Sequence, residues 1–287
     1  MTSILVTGSG GQVGHSLAGL ADDPRFEHFE ITVTDRATLD LTDPDSIIAT
    51  MERATPDIVI NAAAYTAVDA AEDDEATAMA ANAHGVATLA ERCAIQGARL
   101  LHLSTDYVFD GTKDGWYVED DPIAPLGVYG QSKAAGEAAA RSCADHLILR
   151  TAWVYAAHGH NFVKTMLRLG AERDELRVVA DQVGCPSSAH DIAEALLRLA
   201  DHDTTGTYHL AGADAISWHG FARAIFDLAG FAVAVDPIGT VDYPTPAPRP
   251  ANSRLDSDAL AAATGVRLPG WTTSLPSVVN AILESES

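Results

Sequence analysis

The chain has 287 residues, 47% of them hydrophobic, with 40 acidic residues against 18 basic ones and a formal charge of −22. That length supports one large α/β domain or two interleaved subdomains. The charge disfavours a nucleic-acid binder, which is normally basic, and no apolar run approaches the roughly 18 residues of a membrane span.

Strands and helices alternate from the start. Residues 4–7 read as a strand, followed by a glycine-rich turn at Gly8, Gly11 and Gly14 and a helix to Leu20. Residues 30–35 form a second strand ending in an acid, and 43–53 a helix with Pro44 suited to its first turn. A third strand spans 56–61, a long Ala-rich helix 76–96, a fourth strand 99–104, a helix 127–143 and a fifth strand 146–150. This rhythm predicts a doubly wound parallel α/β sheet of the Rossmann type over residues 1–152. Further on, helices are expected at 161–173, 189–201 and 217–230, and strands at 176–180 and 207–211. The later strands, from about 176 to 211, are expected to return to the sheet. Residues 153–175 and 212–287 are expected to form a smaller, partly interleaved substrate-binding lobe. Prolines at 244, 246, 248 and 250 exclude helix and central strand there and predict an ordered loop.

The N-terminus lacks the basic start and apolar stretch of a signal peptide, so the expected location is the cytoplasm. Cys93, Cys143 and Cys185 are widely spaced and form neither a metal pattern nor a disulfide framework. The histidines show no metal-binding spacing; His158 and His160 fall in a turn and read as surface residues. No metal site is assigned.

Four features carry chemistry. The Gly8, Gly11 and Gly14 spacing, between strand and helix, lets the backbone approach a pyrophosphate at a helix N-terminus, with Gln12 and Val13 between the glycines. Asp35, closing the second strand, suits the ribose hydroxyls of NADH, whereas the adjacent Arg36 suits the 2′-phosphate of NADPH. Asp40 and Leu41 follow and are placed beside the adenine edge. Ala62, Ala63 and Ala64 at the end of the third strand let a cofactor pass close to the backbone. Finally, Tyr129 and Lys133 lie one helical turn apart on one face. An ammonium group beside a phenol favours the phenolate and lowers its pKa. The hydroxyl of Thr105, from another strand, could bond the same substrate oxygen. These are the parts needed to reduce a carbonyl or oxidise an alcohol with a nicotinamide cofactor. The chain has only three lysines, Lys113, Lys133 and Lys164, which makes a chance placement here less frequent.

With these motifs the chain resembles the extended short-chain dehydrogenase/reductases and, within them, the dTDP-4-dehydrorhamnose reductase family. The resemblance covers nearly the whole chain. Segments starting at Asn61, Ser104, Arg150, Asn161, Asp181 and Tyr243 carry it in this order. It implies transfer of a hydride from NADPH or NADH to C4 of a dTDP-linked 4-keto-6-deoxy-L-hexose, giving dTDP-L-rhamnose. It implies that Tyr129 protonates the nascent alkoxide, Lys133 lowers the phenol pKa and holds the nicotinamide ribose, and Thr105 orients the carbonyl. It places Thr66, Val68, Asp106, Tyr107 and Trp153 near the sugar or nucleotide. It makes Arg249 and Asn252 contacts to the dTDP end; a loop-anchoring ion pair is the alternative for Arg249.

There are departures. Ser187 stands where the family usually has Thr, and His190 stands where some relatives have an acidic ligand for an interfacial magnesium ion. A homodimer is therefore left open. Two other readings compete: a non-catalytic NAD(P)-binding regulatory subunit, and a related nucleotide-sugar epimerase or reductase. The complete Thr105, Tyr129 and Lys133 set argues against the first, and the reductase-type segments against the second.

Scarce lysine, dispersed acids and abundant Ala resemble the composition of proteins from salt-loving organisms. Self-repulsion of a net charge this large is relieved when salt screens it. The protein is expected to unfold at a higher temperature in molar KCl than in dilute buffer, as followed by circular dichroism. Equal midpoints would remove the high-salt reading.

Overall fold

A computed structural model describes residues 1–285. The first half runs β1 (Thr2–Thr7), α1 (Gln12–Leu20), β2 (Phe29–Thr34), α2 (Pro44–Ala54), β3 (Ile58–Asn61), α3 (Val68–Ala71), α4 (Glu75–Met79), a π-helical turn (Ala80–His84), α5 (Gly85–Gln96), β4 (Arg99–Thr105), α6 (Val128–Ala140) and β5 (His146–Thr151). The second runs β6 (Val154–Tyr155), α7 (Phe162–Glu172), β7 (Glu175–Val179), β8 (Val183–Gly184), β9 (Ser187–Ser188), α8 (Ala189–Ala200), β10 (Gly206–His209), β11 (Ile216–Ser217), α9 (Trp218–Ala229), β12 (Ala234–Ile238), β13 (Asn252–Ser253), α10 (Asp258–Thr264) and α11 (Trp271–Ser285).

Six strands form one parallel sheet in the order β10-β5-β4-β3-β1-β2. Helices cover both of its faces, so its inner strands are apolar runs rather than alternating ones. Successive residues of β1 show this directly. Ile4 and Val6 join Leu17 and Leu196 of α1 and α8 in one core, while Leu5 joins Ile47, Met51 and Leu89 of α2 and α5 in the other. The chain winds outward from β1 to β2 and then crosses to β3 on the other side. A crevice opens at the carboxyl ends of the strands where this reversal occurs, which is where ligands bind in such sheets.

The doubly wound parallel sheet matches the sequence expectation; the fate of residues 176–180 does not. β7 stays out of the main sheet and pairs in parallel with β12 in the smaller lobe. Glu175 and Arg177 are exposed while Leu176 and Val178 are buried, which suits a half-covered strand and not one buried on both faces. Only β10 returns to the sheet. The expected long helix at 76–96 is interrupted by the π-turn. There the Asn82 amide bonds both the N–H and the carbonyl of Tyr65 and the Ser132 hydroxyl. α6 approaches the same turn closely, since a Cβ on Gly136 would lie 2.1 Å from the Asn82 carbonyl oxygen.

A buried ion pair fixes α6 to the sheet. Glu137, one turn beyond Lys133, is fully buried and takes Nε and Nη2 of Arg150 on β5, each at 2.8 Å. The Ser104 hydroxyl of β4 donates to the same carboxylate at 2.6 Å, and Arg141 adds a bond at 3.1 Å. Burial pushes the Glu137 carboxyl up, but the Arg150 bonds outweigh it and its pKa lies below the ordinary carboxylate value. Glu137→Ala leaves the Arg150 guanidinium buried without its partner. The expected loss is about 3–5 kcal/mol of stability in urea unfolding, because breaking a buried pair strands a charge. A loss under about 1 kcal/mol, the size of a surface pair, would show that water reaches Arg150.

Candidate active site

The cleft at the carboxyl edge of the sheet encloses about 870 Å³ and is lined mostly by apolar surface. That is near the top of the usual range for small-molecule sites, about 300–1,000 Å³. One end is built from the turn after β1. Gly8 has φ +86°, and a Cβ there would lie 2.8 Å from the Ala63 Cα. No side chain caps the N-terminus of α1, so its first-turn N–H groups are left for an anion. Ala62, Ala63 and Ala64 form the opposite wall, with the Ala63 N–H held by the Thr7 hydroxyl at 3.2 Å. Gly8, Gly11, Gln12 and Val13 line the cleft as expected. Gly14 does not. A Cβ on it would lie 2.0 Å from the Gly8 carbonyl oxygen, so it packs the helix against the turn.

Asp35, Arg36, Asp40 and Leu41 line the same end. The Asp35 Oδ1 accepts from both the backbone and the hydroxyl of Thr38, and these bonds lower its pKa. Arg36 is 75% exposed and donates to Asp40 at 2.9 Å. The donor set here, uncapped N–H groups, a ribose-type acid and an exposed guanidinium, fits the chemistry of a dinucleotide.

The other end gathers the polar chemistry. Thr105 closes β4 and is buried; its hydroxyl donates to Asp106 Oδ1 at 3.0 Å and accepts from the Tyr107 N–H at 3.2 Å. Tyr129, in the first turn of α6, is half-buried and meets the Tyr107 ring edge-on at 5.4 Å. Burial pushes its phenol well above the ordinary value, and a hydrogen bond with Thr105 pulls it partway back. Lys133 donates to the Leu103 carbonyl at 2.7 Å and is 3% exposed. Its pKa is pushed down to about 8 by burial, with Glu137 acting in the opposite sense. The expected lowering of the phenol pKa by Lys133 is not seen: the acids and hydroxyls around Tyr129 act on it, and the ammonium faces Leu103. At neutral pH the site therefore holds a neutral phenol and a cationic lysine.

Thr66, Val68, Asp106, Tyr107 and Trp153 line this end too. Asp106 is 3% exposed, and burial raises its carboxyl to about 6 against bonds from Ser253 and Thr105. Its Oδ2 has no hydrogen-bond partner within the described residues. Arg249 and Asn252 are not brought to the cleft. Arg249 pairs with Asp69 at 2.7 Å and lies over the Tyr107 ring, anchoring the Pro-rich loop. The Asn252 amide is consumed by the carbonyls of Lys113 and Gly115, and its Oδ1 by Arg254.

The histidine turn, in contrast, belongs to the cleft. His160 and Gly159 line it. His158 Nε2 meets the Gln12 carbonyl at 2.9 Å, and Asn161 donates to Gln12 Oε1 at 2.9 Å, so the turn is strapped onto the first turn of α1. A single-sequence reading offers no signal for this contact across the fold, beyond Asn161 as a helix cap. Among the described residues no cluster of three or more His, Cys, Asp or Glu could hold a metal ion.

A family model described as the RmlD substrate binding domain matches residues 1–284. A dTDP-4-dehydrorhamnose reductase of Sinorhizobium fredii is 44% identical over 98% of this chain and 97% of its own length. The chain belongs to the dTDP-4-dehydrorhamnose reductase family. A solved structure of a dTDP-4-dehydrorhamnose reductase from Clostridium acetobutylicum superposes with a TM-score of 0.94 at 37% identity, covering 98% of this chain and all of that one. The family member from Bacillus anthracis, solved in complex with NADP, gives a TM-score of 0.92 at 36% identity over 97% of this chain and 99% of its own.

The Lys133 environment can be read directly in solution. With 13C-labelled lysine, the Lys133 signal, identified by its loss in Lys133→Met, is expected to titrate near pH 8. The ammonium is held below that value and the neutral amine above it. A midpoint at the solvated value of about 10.4 would show that water reaches the group.

Proposed function

We propose that this protein reduces the C4 keto group of dTDP-4-dehydro-6-deoxy-L-mannose to give dTDP-L-rhamnose, using NADPH or NADH. The observation that carries the reading is one cleft with an uncapped, glycine-lined helix N-terminus at one end and Thr105, Tyr129 and Lys133 at the other. In this reading, residues 1–152 with β10 hold the cofactor, and the start of the smaller lobe, through Trp153, Val154 and the Gly159–His160 turn, borders the sugar nucleotide; α10 and the residues directly after it pack instead in the main core through Leu260, Val266 and Leu268.

Gly8, Gly11, Gln12 and Val13 receive the pyrophosphate, while Asp35, Arg36, Asp40 and Leu41 hold the adenosine end. Arg36 is held only by an exposed ion pair, and such pairs are worth at most about 1 kcal/mol. It can therefore turn to a 2′-phosphate at little cost. Ala62, Ala63 and Ala64 leave room for the chain of the cofactor. When bound, the reduced nicotinamide supplies the hydride to C4. The Thr105 hydroxyl orients the C4 oxygen, and Tyr129 gives that oxygen its proton. A phenol held neutral is in the right form to donate. Lys133, charged below about pH 8 and facing the Leu103 carbonyl, stands one helical turn away to hold the nicotinamide ribose. Asp106, with its free Oδ2, accepts from a sugar hydroxyl, and Thr66, Val68, Tyr107 and Trp153 shape the rest of the pocket. The three cysteines are free and buried, which suits a reducing cytoplasm.

The test is oxidation of NADPH and of NADH, followed by nicotinamide absorbance in molar KCl, with the keto sugar nucleotide generated in situ. Formation of dTDP-L-rhamnose with stoichiometric oxidation supports the reading and ranks the two cofactors. Cofactor binding without turnover would overturn it. Tyr129→Phe is expected to lower kcat by about 10²–10⁴-fold, the usual contribution of a general acid. NADPH binding, measured by nicotinamide fluorescence, is expected to persist. Turnover near that of the parent would remove Tyr129 as the proton donor.

A further inference from the structure

Trp153 is held in an unusual way. It follows β5, whose last residue, Thr151, pairs with Thr105 of β4, so it leaves the sheet beside the reacting end of the cleft. Its φ is +50°, in the left-handed region that a bulky L-residue seldom adopts. Such a conformation persists only where the surroundings impose it.

Two contacts from the second half of the chain do so. The indole occupies the space where a side chain on Gly184 would be: a Cβ there would lie 2.3 Å from the ring. The ring also stacks face to face on Trp218, with centroids 3.4 Å apart and planes 1° from parallel. Both contacts come from one local unit. β8, carrying Gly184, pairs antiparallel with β11, and Trp218 begins α9 directly after β11, with Ser217 as its cap. Behind Trp218 an aromatic series continues into the lobe: Phe162 lies 4.5 Å from it, Phe221 follows, and Trp271 meets Phe221 edge-on at 5.8 Å. The cleft wall at Trp153 is thus fastened to the core of the smaller lobe.

We propose that Trp218 and Gly184 are positioning residues that clamp the Trp153 indole in one orientation, and that this clamped ring sets how the sugar nucleotide lies against the hydride-receiving face. The substrate half of this inference rests on the reductase reading above; the clamp itself does not. Neither residue needs to touch the substrate. The small size of Gly184 is required because any side chain would push the indole into the cleft. Trp218 is required because a strained backbone needs a broad, flat contact to stay in one state.

Two readouts test it. In protein labelled with 5-fluorotryptophan, the Trp153 fluorine line is assigned by its loss in Trp153→Phe. It is expected to be single in the parent and to shift and broaden in Trp218→Ala, with Trp218→Phe closer to the parent. A Trp153 line unchanged in Trp218→Ala overturns the clamp. In steady-state kinetics, Trp218→Ala and Gly184→Ala are expected to raise KM for the keto sugar nucleotide about 5- to 10-fold, the scale of one lost aromatic contact. kcat should fall less, NADPH affinity should stay within about twofold, and Trp218→Phe should recover most of the KM. Unchanged KM, or equal losses for sugar and cofactor, overturns the positioning role. A parent protein that turns over no keto sugar would remove the reductase reading, while the fluorine spectra would still decide the clamp.

Discussion

The site depends on how firmly α6 is fixed against the sheet. Tyr129 and Lys133 project from this helix, while Thr105 projects from β4, and their geometry exists only if the helix cannot slide or rotate. The Glu137–Arg150 pair supplies that constraint. It joins α6 to β5 through two 2.8 Å bonds and to β4 through Ser104, the residue before Thr105. Gly136 and Gly130 let the helix approach closely, since Cβ atoms there would lie 2.1 Å and 2.3 Å from backbone oxygens of Asn82 and Tyr107. Close packing alone would let the helix shift along its axis. A bidentate pair with a fixed fork does not. Buried pairs are weak evidence for stability but fit a role in fixing one arrangement.

The same carboxylate acts on chemistry as well as position. Lys133 is taken out of water, which favours its neutral form. Glu137, one turn away, favours the cation and limits the drop to about 8. Arg150 tempers the carboxylate in turn. One buried pair therefore helps keep Lys133 charged at neutral pH while holding it in place.

The sheet was legible because parallel strands buried on both faces must be apolar runs, and 56–61, 99–104 and 146–150 have that character. β7 was misplaced because a short apolar run says nothing about which sheet will cover it. No element after the Pro-rich loop was legible: α10 is short, and Pro276 lies inside α11, where it reads as a breaker. In the site, the glycine turn and the Tyr129 and Lys133 spacing were legible because both are local. Asn252 and the His158–His160 turn were misread for the opposite reason. Their roles come from partners far along the chain, Asn252 binding loop carbonyls near 113–115 and His158 binding Gln12. The direction of the Tyr129 shift was likewise invisible, because spacing shows that a lysine is near but not which atom its ammonium faces.

A protein of charge −22 that takes a dinucleotide and a sugar diphosphate must bind two polyanions against its own field. The guanidinium groups near the cleft do little for this as they stand, since Arg36 is paired with Asp40 and Arg249 with Asp69. What remains is short-range: the N–H groups at the start of α1, the buried ammonium of Lys133, and backbone approach allowed by Gly8 and the alanines. Short range is the right design where salt is high. At molar ionic strength the screening length is about 3 Å, so distant acids stop repelling while contacts at hydrogen-bond distance keep their strength. An acidic surface and an anion-binding cleft are then compatible, because the first acts over distances that salt screens and the second over distances it does not.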